Sequence, residues 1–250
     1  MPQLAPLSQR NPGRRPCRLS LPPPVHSSMV IAVAPTAREG EDAMLLKGIN
    51  HLAFITNDLV KTIRFYRDLL GMELVAGIGH QGFRHYFFQC GDNQVAFFEY
   101  DEARPMERKS HGTPTDNPQG FDHVSFTVGS CEDLFRLKDK LEAAGIEVTG
   151  AVDHGIIWSI YFFDPNNIPL EASWDCMELL EAPAVDDVEP MAIAAEGAGP
   201  QPGHWPEVSE PTPKEEMIAS AGNGHSMRET FLKNGLGRMT DEYLEITGGA

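Results

Sequence analysis

The sequence predicts an α+β fold of paired βαβββ modules that form a curved mixed sheet. Three observations predict it. The order strand, helix, three strands occurs twice between residues 46 and 176. The copies keep register: His51 matches His123 at an offset of 123 − 51 = 72, and Gly71 matches Gly145 at 145 − 71 = 74. Either copy alone is too short to cover one face of its own sheet, so the two must share a core.

The first module, about residues 46–102, opens on the strand pattern "INHLAFIT". In "NDLVKTIRFYRDLLG", Leu59, Ile63, Tyr66 and Leu70 fall on one helical stripe, and Gly71 stands where a helix C-cap belongs. "MELVAG", "FRHYFFQC" and "QVAFFEY" read as strands, the last two joined by the turn signal "GDN". The second module, about 119–176, repeats this with "FDHVSFTV" and then "SCEDLFRLKDKLEAAG". Leu134, Leu137 and Leu141 form the stripe, and Ser130 with Asp133 a capping-box pattern. "IEVTG", "WSIYFFD" and "IPLEASW" follow, the last pair joined by "PNN". Tyr100 matches Trp174 at 174 − 100 = 74, which carries one offset through both turns.

The ends differ in composition. Residues 1–45 are rich in Pro, Ser and Arg, with no acidic residue before Glu39, and read as a disordered or targeting extension. Met29 and Met44 offer alternative starts. Residues 177–250 form an acidic, Pro-, Ala- and Gly-rich extension, and "SMRETFLKNGLGRMTDEYLEI" has the apolar spacing of a short helix. That helix could dock on the domain or on a second subunit, and a homodimer is the expected assembly. A net charge of −16 disfavours nucleic acid and anionic membrane surfaces as partners. No apolar run approaches the roughly 20 residues of a membrane span. The four cysteines contain no C-x-x-C pair, which fits a reducing, cytoplasmic setting, with organelle import the alternative reading of the N-terminus.

Strand alternation then sorts the side chains. His51, Ala53 and Ile55 share one face of the first strand; His123, Ser125 and Thr127 share the matching face of its counterpart. With an offset of 74, Ser159 maps to His85, Tyr161 to Phe87, Glu171 to Phe97 and Ser173 to Glu99. The expected inward set is therefore His51, His85, Phe97, Glu99, His123, Ser159, Tyr161, Glu171 and Ser173. A polar face among aromatics needs a reason. Two imidazoles and one carboxylate on one side of an ion form the facial triad of non-haem Fe(II) oxygenases. His51, His123 and Glu171 are the expected ligands in a metal cup, for Fe(II) first and Mn(II) or another divalent ion otherwise.

"NHLAF…RFYRDLLGMELV" and "DHVSF…KLEAAGIEV…YFFDPNNIPLEASW" resemble the vicinal oxygen chelate superfamily, which includes glyoxalases, bleomycin-resistance proteins and extradiol dioxygenases. The resemblance covers about residues 46–176 and implies paired βαβββ modules around a metal. "VDHGIIWSIYFFDPNNIPLE" resembles the type I extradiol signature, with His154, Ile160–Tyr161, Asp164–Pro165 and Glu171 in its places. Asn167 stands where that signature has Gly or Pro, a mild departure because Asn tolerates the left-handed turn conformation. "FRHYFF" resembles an Arg-His run that supplies a dioxygen-side histidine, which makes His85 the counterpart. The resemblance thus implies a ring-cleaving dioxygenase that takes a small catechol-like substrate and O₂. Tyr161 would line the substrate face and His154 would supply acid–base chemistry. The alternative is a glyoxalase- or epimerase-type isomerase or lyase, in which Glu99, two residues after the usual position, becomes a fourth ligand. A non-catalytic small-molecule binder is the second alternative.

Overall fold

The computed structural model describes residues 46–116, 120–222 and 224–247; residues 1–45, read above as an N-terminal extension, lie outside the described residues. The first module runs β1 (His51–Thr56), α1 (Leu59–Ile63) continued by a π-helical stretch (Arg64–Leu69), β2 (Glu73–His80), β3 (Phe83–Cys90) and β4 (Asn93–Glu99). The second runs β5 (Val124–Thr127), α2 (Cys131–Ala143), β6 (Thr149–Asp153), β7 (Ile157–Phe163) and β8 (Pro169–Asp175). Each module forms one four-stranded mixed sheet, ordered β1-β4-β3-β2 and β5-β8-β7-β6. The first strand of each pairs in parallel with the last, and the remaining pairs are antiparallel. Both edge hairpins carry a register shift, at Leu74/Ala76 and at Gly150/Val152. A bulge of this kind bends the strand and curves the sheet.

The helix signals act where the sequence places them. The Asp58 side chain accepts from Lys61 N at the start of α1, and Ser130 Oγ accepts from Asp133 N at 3.0 Å at the start of α2. Gly71 (φ 84°) and Gly145 (φ 77°) close the helices in the left-handed conformation that only glycine adopts at no steric cost. The π-helical turns, with Leu70 N donating to Phe65 O at 2.9 Å, are not encoded in a 3.6-residue apolar period.

One core joins both modules. Tyr66, Phe88, Phe97, Leu134, Leu141, Ile160 and Leu170 are all fully buried in it. Each such side chain contributes roughly 1.5–3 kcal/mol through removal from water. A buried polar knot pins the first module's helix to the second module's hairpin. Asp164 accepts from Asn166 N and Ile168 N, both at 2.8 Å, from Asn166 Nδ2 at 2.9 Å and from Tyr66 OH at 3.3 Å. Thr56 Oγ donates to Asn166 Oδ1 at 2.8 Å.

Because the apolar sheet faces pack into this core, the opposite faces are open. His51, Ala53 and Ile55 are exposed on one, Ser125 and Thr127 on the other. The carboxyl-terminal extension contains two short helices, α3 (Met227–Lys233) and α4 (Asp241–Thr247). Among the described residues no helix is long and apolar enough to cross a membrane.

The two hairpins that end the modules differ in length. Cys90 pairs with Asn93 across a two-residue turn, whereas the Asp164 amide reaches the Ile168 carbonyl across Pro165, Asn166 and Asn167. Asn167 takes the left-handed conformation, φ 59°, that this longer turn requires. The extra residue changes the offset from 74 before the turn to 171 − 96 = 75 after it. Tyr161 pairs with Glu171 and Phe87 with Ala96. Ala96, not Phe97, is therefore the counterpart of Glu171. A slip of one residue moves every side chain to the other face, and it removes both Phe97 and Glu99 from the expected inward set.

Candidate functional site

The second module's open face collects most of the expected groups. Ser125 pairs with Glu171 across β5 and β8, and Tyr161 pairs with Glu171 across β7 and β8, so all three point the same way. His123, one residue before β5, reaches the same spot: its Nε2 lies 2.9 Å from Glu171 Oε2. Its Nδ1 lies 2.5 Å from the Asp122 carboxylate, which fixes the ring and turns Nε2 toward Glu171. Asp122 also pairs with the Lys109 ammonium and accepts from Gly112 N at 3.0 Å. The ammonium, then the imidazole, then the amide hold the Asp122 carboxyl far below its ordinary range.

A hydroxyl row surrounds Glu171. Ser125 Oγ is 2.7 Å and Ser159 Oγ 3.1 Å from Ser173 Oγ. Burial alone would raise the Glu171 carboxyl, but Ser159, Ser173, the His123 charge and the Tyr161 hydroxyl outweigh it and hold Glu171 ionised below its usual value. Burial first, and the Glu171 charge second, push the Tyr161 phenol up. The Tyr161 hydroxyl meets His154 Nε2 at 2.7 Å. His154 sits on the tight β6–β7 turn, where its amide donates to Ile157 O at 2.9 Å. His154, Tyr161 and Glu171 therefore form one continuous polar chain.

His51 is not part of it. The expected convergence of His51, His123 and Glu171 does not occur within one chain, because His51 stands on the other sheet's open face. Its Nδ1 lies 2.8 Å from Asn50 Oδ1 and its ring meets the edge of Phe87. His85 is its neighbour, not the neighbour of Glu171: it stacks on Phe98 at 3.6 Å, and burial, then the His51 charge, lower its pKa. Its Nε2 is buried with no partner. Among the described residues no three His, Cys, Asp or Glu side chains converge closely enough to hold an ion.

Glu99 is excluded as a ligand in this arrangement. It pairs with Thr56 on the helix-packed face, accepts from Leu59 N at 3.2 Å and forms an ion pair with Arg84. It caps a helix and anchors a strand. Glu99→Gln should leave divalent-metal content at the wild-type level while lowering stability by about 1.5–3 kcal/mol, the weight of a hydrogen bond to a charged group. Metal analysis with urea unfolding checks both. Phe97 is likewise buried in the core, 4.8 Å from the Tyr66 ring.

One group was missed. His111, from the segment between the modules, lies with its ring 5.7 Å from that of His123, 4.9 Å from Tyr161 and 5.1 Å from Phe163. It has no counterpart in the first copy, so the repeat could not flag it. The one available signal was its place in "SHGTPTDNPQGFDH", a dozen residues ahead of His123 beside a turn-forming glycine.

What the pair His123–Glu171 can do follows from its dimensions. Two donors each about 2.0–2.1 Å from one ion, at a right angle, stand about 2.9 Å apart. Imidazole and carboxylate suit divalent Mn, Fe or Zn. The residues present thus fit two adjacent positions of a divalent metal site.

Residues 48–172 match the family described as the Glyoxalase/Bleomycin resistance protein/Dioxygenase superfamily. The glutathione transferase FosA of Serratia marcescens is 32% identical over 133 residues, covering 51% of this chain and 80% of that protein. A probable lactoylglutathione lyase of Synechocystis sp. is 27% identical over 129 residues, covering 48% of this chain and 90% of that one. A crystal structure of a glyoxylase/bleomycin resistance protein/dioxygenase domain from Frankia sp. is 25% identical, covers 52% of this chain and 98% of that one, and superposes with a TM-score of 0.45.

Proposed function

Because the chain belongs to the glyoxalase/bleomycin resistance/dioxygenase superfamily, we propose that it is a divalent-metal enzyme of lyase, isomerase or transferase type acting on a small molecule. The observation that carries this reading is the 2.9 Å approach of His123 Nε2 to Glu171 Oε2, each secured from behind by its own partners. The relatives named as a glutathione transferase and a lactoylglutathione lyase support this class of chemistry over ring cleavage. They also suggest a thiol, or a thiol adduct, among the substrates.

The third position is filled by His51 of a second copy. The support is physical: His51 and Ile55, the latter 54% exposed, lie on the outward face of the first sheet and are exposed among the described residues. Two copies pairing module one against module two would enclose both open faces and bring each His51 to a His123–Glu171 pair. Closed two-fold symmetry makes the two resulting sites identical.

When bound, a divalent ion there supplies Lewis acidity toward a chelated oxygen. The chain's own residues do the rest. Glu171 and His123 orient the chelate, the serine row offers hydroxyls along its edge, and Tyr161 and His154 hold a proton that can pass to or from the substrate.

One observation favours a second reading, extradiol-type oxidation with Fe(II): the His154–Tyr161 contact at 2.7 Å beside Glu171. A paired assay separates them. Mn(II)-loaded protein should turn over a hemithioacetal or add a thiol to a small electrophile, and should not consume O₂ with catechol. O₂ uptake with Fe(II) and catechol would reverse the order, and tight binding without turnover would leave a resistance-type binder. His154→Ala should keep its metal and slow turnover by roughly 10²–10⁴-fold, the weight of a general acid–base. Loss of metal in that variant would make His154 a structural group.

A further inference from the structure

The segment between the modules, and not Glu99, carries a candidate for a further donor. Three features single out His111. Its ring stands against His123, Tyr161 and Phe163, on the rim of the His123–Glu171 pair. It bonds to the Leu170 backbone, and because Nε2 has no partner, that bond is made from Nδ1. Nδ1–H then donates to the Leu170 carbonyl and Nε2 is left with its lone pair. That atom is buried and unpaired, an unfavourable state unless something occupies it.

His123 is backed in the same way at Nδ1, by Asp122, while its Nε2 meets Glu171 at 2.9 Å. A metal-binding histidine is held this way by a carbonyl or carboxylate on its other nitrogen. The chain also ties His111 to His123 directly. Asp122 gathers Lys109, Gly112 and His123 on one carboxylate, so the turn carrying His111 is fastened to the residue next to His123. Gly112, at φ 61°, supplies the backbone turn that aims residue 111 inward.

We propose that His111 Nε2 is a further metal donor, so that His111, His123 and Glu171 of one chain face the ion together with His51 of a second copy. This rests on the metal reading above and deepens it. Closing the set requires the His111 ring to swing toward His123, since the donors do not converge as they stand. Four protein donors leave fewer open positions, which favours proton movement on a chelated substrate over binding both a bidentate catecholate and O₂.

The test uses the full chain and Mn(II) alone, with free Mn(II) followed by electron paramagnetic resonance and bound nitrogens counted by pulsed methods. Removing outer-shell partners typically weakens metal binding 10–100-fold, so His111→Ala should weaken it by at least about tenfold and remove one coupled imidazole nitrogen. His111→Phe keeps the ring packing against Tyr161 and Phe163 and should lose the same nitrogen while the protein stays folded, with a lower melting temperature from the lost bond to Leu170. If the folded His111→Phe protein keeps wild-type affinity and nitrogen count while Glu171→Gln has lost its ion, the metal reading stands and His111 is packing only. If Glu171→Gln binds Mn(II) like wild type, the site itself is misassigned and both readings fall.

Discussion

Replacing Glu171 with Gln should strip the divalent ion from the purified protein and cut turnover by more than about 100-fold, beyond the range of outer-shell changes. The change is nearly isosteric. It keeps the hydrogen-bond reach toward Ser159 and Ser173 but removes the charge that those hydroxyls and His123 stabilise. A neutral amide facing His123 Nε2 at 2.9 Å offers one weak oxygen in place of an anionic ligand. The fold should survive, because Glu171 lies on the open face and not in the core. Full metal content in folded Glu171→Gln protein would remove the basis of the metal assignment.

Asp164→Ala should destabilise the protein by at least about 3 kcal/mol, a large share of the roughly 5–15 kcal/mol of a typical domain. Asp164 is 2% exposed and its two oxygens take four donors. Removing it leaves the Asn166 and Ile168 amides and the fully buried Tyr66 hydroxyl unpaired, each at about 1–3 kcal/mol. Those amides also define the three-residue turn that sets the register of β8. The loss therefore reaches the site, since a one-residue slip would turn Glu171 into the core. Asp164→Asn, which keeps acceptor capacity, should cost about half as much. Urea midpoints of the two variants check the order; a shift worth less than about 1 kcal/mol for Asp164→Ala would show that the knot is dispensable.

Much of the fold was legible because the chain states it twice. His51/His123 and Gly71/Gly145 located the first strand and the helix end in each copy, and alternation in β1 and β5 correctly separated the open face from the packed one. The failure lay in a single turn. "GDN" and "PNN" look equivalent as turn signals, yet one closes over two residues and the other over three. The difference depends on Asn167 taking a left-handed conformation and on Asp164 collecting two amides. Without that, alternation puts Phe97 and Glu99 on the wrong face, and a helix-capping carboxylate becomes the possible fourth ligand of the alternative isomerase or lyase reading.

Within the site, His123, Tyr161, His154 and Glu171 were readable because they lie on or beside paired strands of one module. His51 shares their chemistry but not their location. Alternation states which face of its sheet a side chain occupies, not which other face that one will meet. His111 was invisible for the opposite reason: it sits in the non-repeated linker, where neither period nor register applies. Its place is set by the Asp122 carboxylate and the Leu170 carbonyl, contacts that only the folded chain displays.

The central claim, that a divalent metal site forms on His123 and Glu171 and is completed by a second copy, has one direct test. Chains carrying His51→Ala and chains carrying Glu171→Gln are mixed, separated and allowed to re-pair. Neither binds Mn(II) at wild-type affinity alone. In a random mixture of two-fold dimers, about a quarter of the sites regain both groups. Titration should recover wild-type Mn(II) affinity in about that fraction. No recovery, in chains shown by mass to have exchanged partners, would contradict a shared site.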